Sequence, residues 1–137
     1  MPWPSILFPP RPRQFRGQRW LNIALRSTHL VGVAGIGGGY LFTLPQTAWE
    51  AYWHLCLTSG VALSLLYLWS TFAWLFELKG LTVVVKLALL SIAIALPAWR
   101  APLFILVIVI SALIAHAPGR VRGYRWLRLP GMPEHPC

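Results

Sequence analysis

Acidic side chains are scarce in this sequence: Asp and Glu together number three among 137 residues. None of them falls in the middle of an apolar stretch, which excludes an ion pump that works through membrane-embedded carboxylates. Charged residues of both signs make up only 11% of the chain, against about 25% in soluble domains. This low share excludes an ordinary soluble enzyme and a disordered tail. Cysteine is scarce too, because Cys56 and Cys137 are too few and too far apart for a disulfide framework.

Apolar residues, in contrast, make up 57% of the chain and gather into four long stretches. The stretches 27–49, 51–76 and 101–117 carry no charged residue, and 81–97 carries only Lys86. A helix needs about 20 apolar residues to cross a bilayer, with about 17 as the lower limit. We therefore predict an all-α integral membrane protein, an antiparallel four-helix transmembrane bundle. The predicted spans are 24–44, 50–76, 81–97 and 101–117, in a bundle of residues 21–118 between a basic Pro-rich tail at 1–20 and a second basic tail at 119–137.

The placement of the cations predicts the orientation. With both tails in the cytoplasm, every Lys and Arg except Arg100 lies on the inner side, as the positive-inside rule requires. The net charge of +9 then reflects topology and contact with anionic lipid headgroups at the basic tails, and no nucleic-acid partner is expected. We expect a multi-pass protein of a cell inner membrane with both termini cytoplasmic.

Three ionisable side chains in different spans are the candidate cofactor-binding residues: His29, Lys86 and His116. Such groups are costly to insert into a membrane and are therefore default functional candidates. On the predicted topology all three lie toward the cytoplasmic side. His29 and His116 could then converge as metal ligands for haem b or copper, and Lys86 could pair with Glu77 or with a haem propionate. Alternatively, His116 is an interfacial residue at a helix end and Lys86 extends its ammonium to the headgroups.

The other potential ligands are expected to be structural. His54 and Cys56 are two residues apart and point about 200° away from each other on a helix, so they cannot chelate one ion. We place both near the outer face, apart from the other groups. His135 and Cys137 form only a weak H-x-C signal in the tail.

Small residues recur at helical spacing in the first two spans. Gly35 and Gly39 stand in a GxxxG relation, and Cys56, Gly60 and Ser64 follow one another every four residues. Such stripes let two helices approach closely in lipid, so we expect them to pack the first span against the second. Alternatively, the glycines make room for a flat macrocycle.

Three segments resemble the copper resistance protein D (CopD) family of membrane proteins. Thr28-His29-Leu30 with 34–38 is similar to its opening helix, 57–60 to its next helix, and 79–81 with 86–90 to its lysine-bearing helix. The resemblance covers residues 28–92 and implies a four-helix inner-membrane unit tied to copper handling or haem-type redox proteins. Its matching positions are His29 and Lys86, whereas Ile36 stands where the family has Trp.

These observations leave three functions open. The first is a CopD-like protein that binds haem b or copper within the bundle for electron transfer or metal handling. The second is a non-catalytic accessory or assembly subunit of a larger membrane complex, docked by its Gly-rich first helix. The third is a porphyrin oxidase similar to the HemJ type in length, helix count and use of an early His and a later Lys. The sequence assigns no catalytic residue, because it contains no P-loop, H-E-x-x-H or C-x-x-C motif.

Overall fold

The computed structural model describes residues 6–130 and residue 132, and this part of the chain consists of helices and their connecting segments, with no β-strand. The four long helices are α1 (Gln18–Leu41), α2 (Gln46–Ser70), α3 (Leu78–Ala95) and α4 (Arg100–His116), followed by the short helix α5 (Gly119–Arg122). Two 3₁₀ turns, Phe72–Phe76 and Pro97–Trp99, connect α2 to α3 and α3 to α4. The predicted all-α class is confirmed.

Three helices in the described residues are long and apolar enough to cross a membrane: α2, α3, and the segment Pro97–His116 that contains α4. Together they are compatible with a multi-pass membrane protein. Helix α1 has 24 residues but is not among them. Its first half carries Arg19, Asn22, Arg26 and His29, and its second half is rich in glycine, which contributes little hydrophobicity.

The ends of the long helices follow local sequence signals. Helix α1 ends where the Phe42 N–H donates to the Gly38 carbonyl, and Thr43 takes a positive φ of 51° to turn the chain. Pro45, in an extended conformation, begins α2. Pro97 and Pro118 stand just after α3 and α4, where their missing N–H groups interrupt no helical hydrogen bond.

Helices α1 and α2 form a tightly packed hairpin, as the small-residue stripes predict. A Cβ atom added at Gly32 would lie 2.6 Å from the Cys56 backbone nitrogen, and one added at Gly35 or Gly39 would overlap Tyr52 or Trp49. The room made by these three glycines is therefore filled by α2 itself. This result confirms helix packing and leaves no space for a macrocycle at those three positions.

Helices α3 and α4 form the second hairpin, and α4 also packs on α1. The contact between α1 and α4 is a cluster of Ile36, Tyr40 and Phe104, in which the rings of Tyr40 and Phe104 meet edge to face at 5.4 Å. Many large apolar side chains of α3 and α4 are exposed instead, for example Leu87, Ile94 and Leu113. An apolar exterior of this kind suits a surface solvated by lipid.

The end of the bundle beside the α2–α3 connection is tied by both terminal segments. The Arg13 N–H donates to the Ser70 carbonyl at 2.9 Å, and the Ser70 hydroxyl donates to the Arg13 carbonyl at 2.9 Å. From the other terminus, the Leu78 N–H donates to the Tyr124 carbonyl at 2.8 Å. Arg13, in the basic Pro-rich tail, is thereby docked on the end of α2. The weak H-x-C pair, His135 and Cys137, lies outside the described residues.

Candidate functional site

His29 lies on the face of α1 that points into the bundle. It precedes the buried residues Ile36 and Tyr40 by 7 and 11 positions, which on a helix is the same face to within about 20°. Its ring is half-buried against α2, where a Cβ added at Gly60 would lie 3.1 Å from Cε1 of the imidazole. The absence of a side chain at Gly60 therefore makes room for this ring.

The hydrogen bonds of His29 define its protonation pattern. Nδ1 lies 2.9 Å from the Cys56 carbonyl oxygen and 3.2 Å from Ser59 Oγ. A carbonyl oxygen can only accept, so Nδ1 carries the proton and donates it. In the neutral ring, Nε2 then keeps its lone pair. This is the arrangement usual for a metal-binding histidine, whose other nitrogen donates to a carbonyl or carboxylate.

Cys56 is the second potential ligand at this site, but it is not aligned for joint coordination with His29. Its Sγ lies 3.7 Å from Nδ1 and 3.9 Å from Nε2 of the imidazole. A lone pair points outward in the ring plane, so a sulfur almost equally distant from both nitrogens lies on the axis of neither. A metal about 2.0 Å from Nε2 would therefore be too far from this sulfur for a bond of about 2.3 Å.

Lys86 comes from α3 toward the same place. It is half-buried and lies within electrostatic range of both His29 and Cys56. No hydrogen bond or ion pair to another described residue engages its ammonium. The structure therefore brings Lys86 within electrostatic range of His29 and gives its charge no counter-ion among the described residues.

Glu77 is not the partner of Lys86, which corrects one of the two pairings expected for that lysine. The Glu77 carboxylate is buried and lies 2.7 Å from Lys79 Nζ and 3.9 Å from an Arg125 nitrogen. Glu77 stands just before α3, nine residues from Lys86, which is about 13 Å along a helix. The carboxylate therefore pairs with cations at the α2–α3 connection and does not reach the region of His29.

His116 is the last residue of α4 and its side chain is exposed. It follows the buried Val107 by nine residues, which puts it about 180° from Val107 around the helix. None of the hydrogen bonds or ring contacts of the described residues joins it to His29. The structure thus does not bring the two imidazoles together, and ligation by His116 stays a prediction.

The sequence analysis missed Cys56 and Ser59 as neighbours of His29. We placed Cys56 near the outer face, apart from the other ionisable groups, whereas it packs against Gly32 and His29 in the middle of the hairpin. His54 points away from it and is exposed, as their spacing predicts. The small-residue stripe that includes Cys56 and Gly60 could have revealed these neighbours, because residues of α2 that pack against α1 also face His29.

Across residues 6–130 and 132, no three or more His, Cys, Asp or Glu side chains come together as a metal-binding group. Comparison of the chain with family models, curated proteins and solved structures gave no match. His29 and the residues around it are therefore the candidate functional site.

Proposed function

We propose that the chain is a four-span protein of a bacterial-type inner membrane in which His29 binds haem b for electron transfer. The observation that carries this proposal is the 2.9 Å contact of His29 Nδ1 with the Cys56 carbonyl, which leaves Nε2 with a free lone pair. The contact also fixes the plane of the ring, because both partners belong to the tightly packed α1–α2 hairpin. A preoriented nitrogen inside an apolar bundle is what an axial haem ligand needs.

The donor set favours haem over copper, the other metal centre that the sequence suggested. A copper ion held by protein alone needs several ligand side chains, and the described residues bring together no group of three. Haem iron is already bound by the porphyrin, so one histidine is sufficient to hold it. The haem supplies a one-electron redox centre when bound. The chain would supply the imidazole nitrogen of His29 to hold it and a low-dielectric surrounding.

Lys86 supports the same proposal through its charge. Its ammonium lies within electrostatic range of His29 and lacks a carboxylate partner among the described residues. A half-buried cation in a membrane protein is costly unless it is paired. A propionate of the haem would be such a partner.

An absorption spectrum of the detergent-purified protein tests the haem proposal. Protein from cells supplied with haem precursor should show a Soret band that shifts on reduction, and His29→Ala should lose it. His54→Ala is the matched control, because His54 is an exposed histidine on the same hairpin. A colourless wild-type protein, or a His29→Ala variant with an unchanged spectrum, would contradict the proposal. If His116→Ala keeps the band, His29 is the only one of the two histidines that is needed.

We further propose that α1 is the fourth span, so that both termini are cytoplasmic. Its 24 residues measure about 36 Å, enough for a hydrocarbon layer of about 30 Å. Two polar side chains of α1 have partners on α2: His29 contacts Cys56 and Ser59, and Arg26 donates to the Tyr67 hydroxyl and lies over its ring. Reporter fusions at the two termini test this point. Four spans put both on one side of the membrane, where GFP fluoresces and alkaline phosphatase is inactive, whereas three spans put them on opposite sides.

A second candidate function, an accessory subunit of a larger complex, is favoured by Gly38. A Cβ added at Gly38 would meet nothing within 4 Å, so α1 offers another helix a small residue on its open side. Native mass spectrometry of the protein extracted from its own membrane should then show a complex of fixed stoichiometry that Gly38→Leu abolishes. Val84→Leu, at an exposed position on α3, is the control. A monomer in both wild type and control would contradict this candidate.

A further inference from the structure

A cavity of about 250 Å³ lies at the end of the bundle opposite the α2–α3 connection, where α1 ends and α4 begins. All four long helices contribute to its wall, and the residues that matter here are Tyr40, Trp49, Glu50, Trp53, His54 and Arg100. We call it the Arg100 cavity. Its volume is below the range of about 300–1,000 Å³ typical of drug-sized pockets, so it suits a compact polar group.

Arg100 is held in place in this cavity but has no anionic partner among the residues that the structure describes. Its Nε donates to the Ala93 carbonyl at 3.3 Å, and its guanidinium carbon stands 6.0 Å from the centre of the Tyr40 ring. Its side chain makes no other hydrogen bond and no ion pair within the described residues. The two terminal nitrogens therefore keep donors in the fork geometry that binds phosphate or carboxylate.

Glu50 lines the same cavity without neutralising Arg100. No ion pair within 4.0 Å joins Glu50 to any cation in the described part of the chain. Trp49 and Trp53, one residue before and three after it on α2, line the same cavity. A carboxylate next to indole rings is a favourable environment for an ammonium group. Within the described part of the chain, the cavity thus presents a cation and an anion that form no ion pair with each other or with another side chain.

The location of the cavity indicates which ligand groups are present there. Phe42 and Trp99, just outside the cavity, are 73% and 58% exposed. Exposed aromatic side chains at the ends of membrane helices mark the interface with water, where lipid headgroups lie. Phosphate and amine groups are therefore available at this depth.

We propose that the Arg100 cavity binds a phosphate–amine zwitterion, such as the headgroup of phosphatidylethanolamine. The phosphate accepts hydrogen bonds from the terminal nitrogens of Arg100. The amine lies between Glu50 and the rings of Trp49 and Trp53. This site does not depend on His29, which lies further along the bundle, or on the haem proposed to bind there.

Native mass spectrometry of the full chain in detergent, titrated with single lipids, tests the proposal. Phosphatidylethanolamine should bind about tenfold more tightly than phosphatidylglycerol, which has the phosphate but no amine. Glu50→Gln should abolish this preference, whereas Arg100→Gln should weaken binding of both lipids about tenfold or more. Arg120→Gln is the matched control, since Arg120 is an exposed arginine beyond α4. The phosphate–amine group could belong to a lipid or to a soluble molecule, and O-phosphoethanolamine, which has no acyl chains, distinguishes the two. If its binding depends on Arg100 and Glu50 as much as lipid binding does, the natural ligand is soluble.

Circular dichroism of each variant establishes that the helices are intact, and Arg100→Lys keeps the charge while removing the fork. Partial binding by Arg100→Lys supports the proposed bidentate contact. The proposal is overturned if Arg100→Gln and Glu50→Gln bind phosphatidylethanolamine as Arg120→Gln does. It is equally overturned if neither the lipid nor O-phosphoethanolamine binds the wild-type protein.

Discussion

At the scale of single residues, the imidazole of His29 is held by a backbone carbonyl and a small hydroxyl side chain of α2, those of Cys56 and Ser59. The Cys56 carbonyl is inside a helix, but a carbonyl oxygen has two lone pairs and can accept a second hydrogen bond. Gly60 leaves the space beside this carbonyl open to the ring, whose Cε1 would be 3.1 Å from an added Cβ. The backbone of α2 therefore does what a second polar side chain would otherwise have to do.

Ser59→Ala is expected to cost about 1 kcal/mol of unfolding free energy. The Ser59 hydroxyl donates to the Leu55 carbonyl at 2.6 Å and lies 3.2 Å from Nδ1 of His29, so its removal takes one acceptor from the imidazole. Ser91→Ala is the control, because Ser91 is exposed and bonds only to the Leu87 carbonyl of its own helix. Unfolding in mixed micelles of mild detergent and SDS, followed by circular dichroism, measures both. Equal losses for the two variants would show that the contact with His29 contributes nothing.

At the scale of helices, the α1–α2 hairpin has one continuous register. Gly32 contacts Cys56, Gly35 contacts Tyr52 and Gly39 contacts Trp49, as expected for two antiparallel helices in one register. Continued three residues toward the start of α1, the same register places His29 opposite Ser59, where the hydrogen bond is found.

Gly32→Ala is expected to destabilise the hairpin by about 1–3 kcal/mol, the usual cost of overpacking. The added Cβ would lie 2.6 Å from the Cys56 nitrogen and 2.8 Å from its Cα, and backbone atoms of a neighbouring helix cannot turn aside as a flexible side chain can. Gly38→Ala makes the same chemical change on the open side of the helix, where nothing lies within 4 Å, and should cost nothing. The same SDS titration compares them. A Gly38→Ala variant as unstable as Gly32→Ala would argue against this packing.

The α1–α2 hairpin could be predicted from the sequence because its sequence signals agree with one another. The site around His29 could be predicted only in part. Two small-residue stripes and a short connection imply an antiparallel pair, and extending that pairing would have placed Ser59 and Cys56 beside His29. The sequence did not indicate how α4 is rotated about its own axis, because this helix is apolar on nearly all sides and no face stands out as the inner one. The exposure of His116 agrees with the alternative of an interfacial residue at a helix end, but the sequence could not decide between that alternative and a ligand.

At the scale of the whole molecule, the two hairpins are joined at opposite ends by different means. At one end an aromatic cluster of Tyr40, Trp49 and Phe104 links α1, α2 and α4, with ring centres 5.1 and 5.4 Å apart. At the other end the terminal segments close over the α2–α3 connection through backbone hydrogen bonds. The buried carboxylate of Glu77 lies at the centre of this second junction, facing Lys79 and Arg125.

Glu77→Gln is therefore expected to loosen the C-terminal segment before it affects the helices. The substitution keeps the shape of the side chain but removes the negative charge from two cations, one of which, Arg125, has a side chain only 10% exposed. Losing one partner of such a buried pair costs about 2 kcal/mol or more. Trypsin should then cleave after Arg122 or Arg125 faster than in the wild type, while α2 to α4 stay protected in the micelle. Glu50→Gln removes an exposed, unpaired carboxylate and should leave the digestion unchanged. Identical digestion of Glu77→Gln and wild type would mean that the backbone pairing of Leu78 with Tyr124 holds the segment without help from the charges.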